Sequence, residues 1–329
     1  MDSKYIYAST VAYTLHQKLL SETQLELLLS TRSREEFMKA LQDTFVAPYL
    51  SSGKDERVTH ILDQIVRAAK EELVKIAPEP GILEILWAKY DFQNLKTLIT
   101  WNSLGLDESK LEESWVHLGS HSLRELLKAF REGKLEDLNP RLYQALQESE
   151  RQKNDALKDL IIDANYLRTI RDMAAKTKNK FIQEFVQIRI DLFNLLSRLR
   201  ILASSENGSI PKDFFLHGGS YTNKDLEAEE NILRLLTNFG GKKHWKEALS
   251  EYQESKKFSG LSRAADEYVL GWLKRQSIEL HSVATLVAYF MAVKNSVQVV
   301  RTIAISKQLG VSEQKIRSIV RKPYQSYAF

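Results

Sequence analysis

The words IIDANYLRTI, Ile161 to Ile170, and RIDLFNLL, Arg189 to Leu196, decide the fold, because the chain has spelled nearly the same thing earlier. The first word carries Asp163, and the second carries Asp191 and Asn194. About a hundred residues upstream, ILDQIVRA carries Asp63, and KYDFQNLK carries Asp91 and Asn94. In both copies 28 residues separate the first aspartate from the second. A third, worn copy runs from AADEYVLGWL, with Asp266, to VKNSVQVVR, where Ser296 lies 30 residues on.

Each word reads as helix. From Val58 the apolar side chains fall at Val58, Ile61, Leu62, Ile65, Ala68, Ala69 and Leu73, the three-four alternation of a helix with one buried face. Pro78 and Pro80-Gly81 stop it, since proline has no N–H to donate and glycine relaxes the chain. A second helix then begins near Ile82 and carries Trp87, Tyr90, Phe92, Leu95 and Leu98. Six prolines in 329 residues, with long stretches of Leu, Glu, Lys, Gln and Ala, extend the prediction to an all-α fold.

The segments ahead of these pairs also correspond. LLSTRSREEFMKAL (Leu28 to Leu41) resembles LLTNFGGKKHWKEAL (Leu235 to Leu249), and LLKAFREGKLEDLNPRLYQAL (Leu126 to Leu146) is a looser version. A period near one hundred is too long for a solenoid of small repeats. It predicts three related helical subdomains, residues 1–104, 105–206 and 207–329. The boundaries fall in turn-rich stretches, Asn102 to Ser109, then Ala203 to Lys212 with His217 to Lys224. Gly218-Gly219 can supply left-handed backbone there, and Thr222 or Asn223 can cap the next helix.

An aspartate and an asparagine three apart share one helix face. Buried, each must find partners or cost about 1–3 kcal/mol. Asp63, Asp91, Asn94, Asp163, Asp191 and Asn194 are therefore read as structural positions that fix helix register, with Lys96, Arg189 and Arg198 as candidate partners. A catalytic carboxylate would need a second acid or a base in a shared cleft.

Composition excludes several classes. With 43% hydrophobic and 27% charged residues the chain is an ordinary soluble protein. The absence of cysteine removes disulfide frameworks, thiolate metal sites and thiol catalysis, and fits a cytosolic home. A net charge of +4 over 329 residues is a weak field. The richest apolar run, Val283 to Val293, falls short of the roughly 20 residues of a spanning helix and is followed by Lys294. The start, MDSKYIYASTVAYTL, lacks the features of a secretion signal.

Rival motifs are weaker. In IAISKQLGVSEQKIRSIVRK (Ile303 to Lys322), Ile305, Leu309, Val311, Ile316 and Ile319 bracket Gly310 as in a helix-turn-helix, with Ser312 placed to cap the second helix. Lys315, Arg317, Arg321 and Lys322 could reach phosphates, so a DNA-binding regulator using residues 301–322 is the alternative reading. The corner grows directly from a long helix, Val283–Ile305, and no strongly basic face supports it. His117 and His121 are four apart, but Gly119 and Ser120 intervene and no third ligand is evident, so no metal is expected. Gly240-Gly241-Lys242 lacks the upstream glycine of a P-loop, and neither HExxH nor GxSxG occurs. Trp87, Trp101 and Trp272 sit on apolar faces and read as core.

The ordered set of words, DANYLRTIRDMA, YDFQNLKTLI, IDLFNLLSRLR and the Gly-Gly turn within FFLHGGSYTNKDL, resembles the central-stalk C/d subunits of V-type and A-type ATPases along essentially the whole chain. The resemblance implies a funnel of three pseudo-symmetric helical subdomains, peripheral on the cytoplasmic face of the membrane proteolipid ring. It implies that the funnel receives the central-shaft subunits D and F, turns with the rotor, transmits torque, and performs no chemistry. No cofactor, nucleotide or nucleic acid is expected. A shaft docked in a central cavity would meet polar residues of the inner helices: Lys89, Gln93, Gln187, Arg189, Lys294 and Gln298. One departure stands out: Lys294 and Ser296 occupy places where the family carries glutamates, and Val299 replaces an asparagine, leaving Arg301.

Overall fold

The structure is a computed structural model that describes residues 3–50, 58–152, 154–203, 214–278 and 281–327. Among these the secondary structure is helical, with no strand. The chain forms two compact units: Met1–Pro80 with Asp266–Phe329, and Gly81–Ala265.

The first unit holds α1 (Ile6–His16), α2 (Glu22–Ser30), α3 (Arg34–Leu41) and α4 (Val58–Ile76). From the far end of the chain it takes the later residues of a long helix, described below, together with two more helices that close the sequence. The second unit holds α5 (Glu84–Leu104), α6 (Glu108–Ser114), α7 (Leu123–Arg131), α8 (Leu135–Leu138), α9 (Pro140–Glu150), α10 (Asp155–Thr177), α11 (Lys180–Ala203), α12 (Glu229–Leu236) and α13 (Gly241–Ser255). It also takes the start of α14 (Ser259–Gln276), whose residues from Asp266 on belong to the first unit. α15 (Val283–Gln308) and α16 (Glu313–Ile319) complete the first unit.

Helix ends follow local chemistry. α4 stops at Ile76, ahead of Pro78, and α5 follows a single 3-10 turn at Pro80–Leu83. Ser21, Ser33, Ser122, Asn139 and Asn154 each cap a helix by accepting a backbone N–H. Thr222 does so in a reciprocal box with Asp225. Ser312 stands at the N-cap of α16, but its hydroxyl makes no capping bond. Trp87 and Trp272 are core, whereas Trp101 is half-buried, donating to the Asp107 carbonyl at 3.1 Å beneath Arg131.

In the first unit α15 is the axis. It packs against α1, α2 and α4; every residue from Val283 to Phe290 is buried, and a broad buried face continues to Ile303. The apolar run ends in sequence at Val293, but the helix continues to Gln308 because Lys294 lies at a half-exposed edge. By length and composition it could cross a membrane, yet 83% of its apolar window is buried inside the protein.

The last residues form a strap over this core. Pro323 and Tyr324 are buried, and the Tyr324 ring meets His16 edge-on at 4.6 Å. The Lys274 ammonium donates to the carbonyls of Gln325, at 2.8 Å, and Tyr327. Gln325 donates to the Leu19 carbonyl at 3.0 Å, and Asn295 to that of Lys322 at 3.2 Å.

Burial of His16, reinforced by the nearby Lys274 charge, lowers its pKa to about 4. The unfolded chain, with an ordinary histidine near 6.5, then binds the proton more readily, so stability falls as pH drops from about 6.5 toward 4. Urea midpoints measured across that range are expected to decline, and His16→Leu is expected to flatten the decline.

Candidate functional site: backbone clamps and a basic cleft

The two polar pairs do the same thing in both copies. On α5 the buried Asn94 amide donates to the Val116 carbonyl at 2.9 Å and accepts from the Val116 N–H at 3.0 Å. On α11 the buried Asn194 repeats this with Leu216, at 2.9 and 3.0 Å. One turn away, the Asp91 carboxylate accepts the N–H groups of Ser120, at 2.8 Å, and His121, at 3.1 Å. Asp191 accepts the Ser220 N–H at 2.7 Å. Burial raises the Asp191 carboxyl above its usual value, and its bonds to Ser220 and Tyr221 offset only part of that rise.

Each pair is thus a clamp on the main chain of the segment that leads into the next cap of helices. Gly119 and Gly219 sit under the carboxylates, where a Cβ would come closer to the aspartate Oδ1 than real Cβ atoms come. For these two Asp–Asn pairs the expected partners Lys96, Arg189 and Arg198 are not the ones found, although Lys96 does pair with Asp163. Asp and Asn three residues apart on a helix can chelate a passing peptide segment, whereas the cations lie elsewhere. Arg198 donates to the Leu226 carbonyl at 3.1 Å, and Arg189 to the Tyr166 hydroxyl at 2.7 Å.

Asp63 and Asp163 belong to a different class. Neither is buried, Asp163 being half-exposed and Asp63 exposed: Asp163 pairs with Lys96 at 2.8 Å and Asp63 with Arg301 at 2.6 Å. In each case the aspartate of one copy's first helix meets a cation from another copy's second helix, α10 against α5 and α4 against α15. Exposed pairs of this kind contribute about 0–1 kcal/mol, so they tune the packing rather than fix it. The third copy retains part of a clamp through Asn295, one place before Ser296, whose buried hydroxyl has no partner among the described residues.

Sequence reasoning missed the loop half of the clamp in the first copy. The signal was present: a glycine stands 28 residues beyond Asp91 and again beyond Asp191. Gly218 does carry the left-handed backbone expected of it, at φ 108°, whereas Gly219 is constrained by space instead. The Ala203–Lys212 boundary lies, beyond Ala203, outside the described residues.

Lys89, Gln93 and Arg189 converge on one cleft of the second unit, about 410 Å³ in volume. Lys96 and Asp163 stand at its side, and Phe92, Tyr166 and Phe193 line it. The Arg189 guanidinium lies over the rings of Tyr166 and Phe185, at 5.3 and 5.7 Å. Gln187 lies outside this cleft and donates to the Ser220 hydroxyl at 3.1 Å, next to the clamp. Lys294 and Gln298 lie on α15 in the first unit, where Gln298 donates to Thr302 at 3.3 Å. A larger cavity of about 990 Å³ opens in the first unit between the α2–α3 turn and the α15–α16 corner, and none of the six singled-out residues lines it.

The α15–α16 corner is a packing device. Ile316 is buried, α16 packs on α2, and Gly310 makes the turn at φ 69°. Arg317 is held by Glu26 and Glu313, both at 2.7 Å, and Arg321 is paired with Asp266. His117 and His121 lie in the loop ahead of α7, not on a helix, and no metal-holding cluster of three or more His, Cys, Asp or Glu side chains occurs among the described residues. Gly240-Gly241 opens α13, placing its lysines on an exposed first turn.

Comparison with known proteins fits this architecture. Along 96% of its length the chain is 23% identical to the C subunit of the A-type ATP synthase of Methanocaldococcus jannaschii, covering 86% of that protein. It is 24% identical to the C subunit of the V-type sodium ATPase of Enterococcus hirae, over 93% of the chain and 95% of the relative. A third relative, the A-type ATP synthase C subunit of Pyrococcus abyssi, is 24% identical over 96% of the chain and 90% of its own length. The sequence model of one family matches residues 8–319, nearly the whole chain, and by that match the protein belongs to the ATP synthase (C/AC39) subunit family.

Proposed function

We propose that this chain is the non-catalytic central-stalk subunit of a V-type or A-type ATPase. In this reading it joins the D–F shaft of the catalytic head to the membrane proteolipid ring and turns with both. The observation that carries it is the family match across residues 8–319, joined to relatives named as the C subunits of an A-type ATP synthase and of a V-type sodium ATPase. The protein would sit peripherally on the cytoplasmic face of the membrane, and α15, mostly buried, supports a place beside the membrane rather than within it. Its three repeats, 1–104, 105–206 and 207–329, would be the units through which load passes.

The clamps support the role physically. A torque element loses coupling wherever it bends, and bending concentrates in loops. Tying a loop to a helix through two or more hydrogen bonds from buried side chains removes that compliance without adding a large core. Lys89, Gln93, Gln187, Arg189, Lys294 and Gln298 are proposed as shaft contacts.

The test is reconstitution. The purified chain mixed with the D–F shaft and with detergent-solubilised proteolipid ring is expected to elute with each, and to bridge them when all are present. A chain that elutes alone from both mixtures would remove the reading.

A further inference from the structure

We propose that the large cavity of the first unit takes the headgroup of an anionic phospholipid, with its phosphate held by Arg32 and Arg34. The site is separate from the basic cleft and does not depend on the stalk reading. Its lining carries three cations, Arg32, Arg34 and Lys307, against one carboxylate, Glu313, which is paired with Arg317 at 2.7 Å. Two more carboxylates stand close by and are also engaged. Glu36 accepts the Arg32 backbone N–H at 2.7 Å, and Glu35, next to Arg34 in the chain, bonds to Ser33 and to its own N–H. Neither the Arg32 nor the Arg34 guanidinium makes a hydrogen bond or ion pair among the described residues. Two exposed forks, two residues apart, thus line the cavity with their donors unused, and such forks match the oxygens of a phosphate.

The main chain around the cavity selects against other guests. The C-terminal ends of α2 and α15 both border it, and a helix C-terminus ends in carbonyls that repel anions and attract N–H groups. Here those carbonyls are taken. At the end of α2, Leu28 accepts the Thr31 hydroxyl at 2.8 Å, while Leu29, at 2.9 Å, and Thr31 accept the Lys307 ammonium. At the end of α15, Ile305, Ser306 and Lys307 accept the N–H groups of Leu309, Val311 and Gly310. A peptide segment would bring N–H groups of its own and find few acceptors, whereas a phosphodiester brings acceptors alone. A nucleotide base would find no ring to stack on, because Phe37, the one aromatic in the lining, is buried.

The remaining walls suit hydrocarbon: Met38, Val58, Ile305 and Val311. Ile305 is 41% exposed, and Leu309, one turn on at the corner, is 74% exposed, the most of any large apolar side chain among the described residues. Exposed leucine beside cations is the combination that holds a protein at a lipid surface. A volume of about 990 Å³ lies at the upper end of small-molecule sites, room for a glycerophosphate headgroup and the first carbons of its chains.

The experiment is titration calorimetry of the full chain with monomeric dihexanoyl phosphatidylglycerol, set beside dihexanoyl phosphatidylcholine and inorganic phosphate. One saturable site for phosphatidylglycerol is expected. Binding should be about 10-fold weaker for phosphatidylcholine, whose choline is repelled by the arginines, and for phosphate, which has no chains to bury. Arg32→Gln and Arg34→Gln are each expected to weaken the lipid about fivefold. Leu309→Ser is expected to weaken it about threefold while leaving phosphate unchanged. All three side chains are exposed, so lost binding is separable from lost folding by urea unfolding of each variant. Replacing Lys242 and Lys243 by glutamine, on the exposed first turn of α13, should change nothing. Phosphatidylglycerol that does not bind, or binds both arginine variants as it binds wild type, would overturn the site. Phosphate bound as tightly as the lipid would overturn the lipid as its occupant, and an equal loss in the lysine variant would reduce the effect to general surface charge. Each of these failures leaves the stalk reading standing.

Discussion

Replacing Gly219 with alanine is expected to destabilise the protein by about 3 kcal/mol, as much as removing the Asp191 carboxylate itself. The added Cβ would collide with Asp191 Oδ1 and crowd its Cγ at 3.0 Å, and Asp191 is a short, buried side chain on α11. Either the loop lifts or the aspartate turns away, and in both cases the bond to the Ser220 N–H at 2.7 Å is lost. A hydrogen bond to a charged group contributes about 1.5–3 kcal/mol, and the stranded groups add to the loss. Asp191→Ala is expected to cost a similar amount through the same bonds. The informative result is the double variant. Once the carboxylate is gone, most of the collision is gone with it, so Asp191→Ala with Gly219→Ala should be little worse than either alone. Urea unfolding of the four proteins reads the coupling, and amide exchange at Ser220 and Tyr221 locates it. Additive losses would show that the glycine serves something other than the clamp.

The second large effect is expected at the strap. Tyr324→Ala should cost about 3–5 kcal/mol, the range for emptying a fully buried aromatic site. The ring packs on His16 from α1, while Lys274 from α14 and Asn295 from α15 hold the carbonyls on either side. Its loss should therefore loosen α1 along with the strap. The check is urea unfolding together with amide exchange on α1, where protection should drop by about tenfold or more. A stability change below about 0.5 kcal/mol, the size of an ordinary surface substitution, would mean that the strap is not part of the core.

Much of this fold is legible in local patterns. The three-four spacing from Val58, the stop at Pro78 and the matched 28-residue intervals yield helices, their ends and the recurring polar pair without any long-range information. The pairing of helices is not local. α4 packs on α15, and α5 on α10, because an apolar stripe on one helix says that a partner exists but not which one. The clamps are half legible for a similar reason. Asp and Asn at matched places announce a buried polar need, but their partners are peptide groups, which every residue possesses and no residue type betrays. Lys96, Arg189 and Arg198 are the natural candidates when a side chain is sought, and the answer is main chain. Ser296 taken alone suggests that the third copy has lost its polar group, whereas Asn295 beside it holds the backbone of Lys322.

That the clamps hold peptide groups has a further consequence for exchange of parts. A joint that grips the main chain places few demands on what the loop is made of, beyond a small residue under the carboxylate. The two loops illustrate this: WVHLGSHS (Trp115 to Ser122) and FFLHGGSYT (Phe214 to Thr222) differ at most positions, yet they offer the same atoms to the same amide and the same carboxylate. The fastening is generic, like a standard coupling, and the surfaces on either side of it can diverge independently. A chain assembled from duplicated segments could in this way acquire a different outer face in each segment while keeping one common means of attachment.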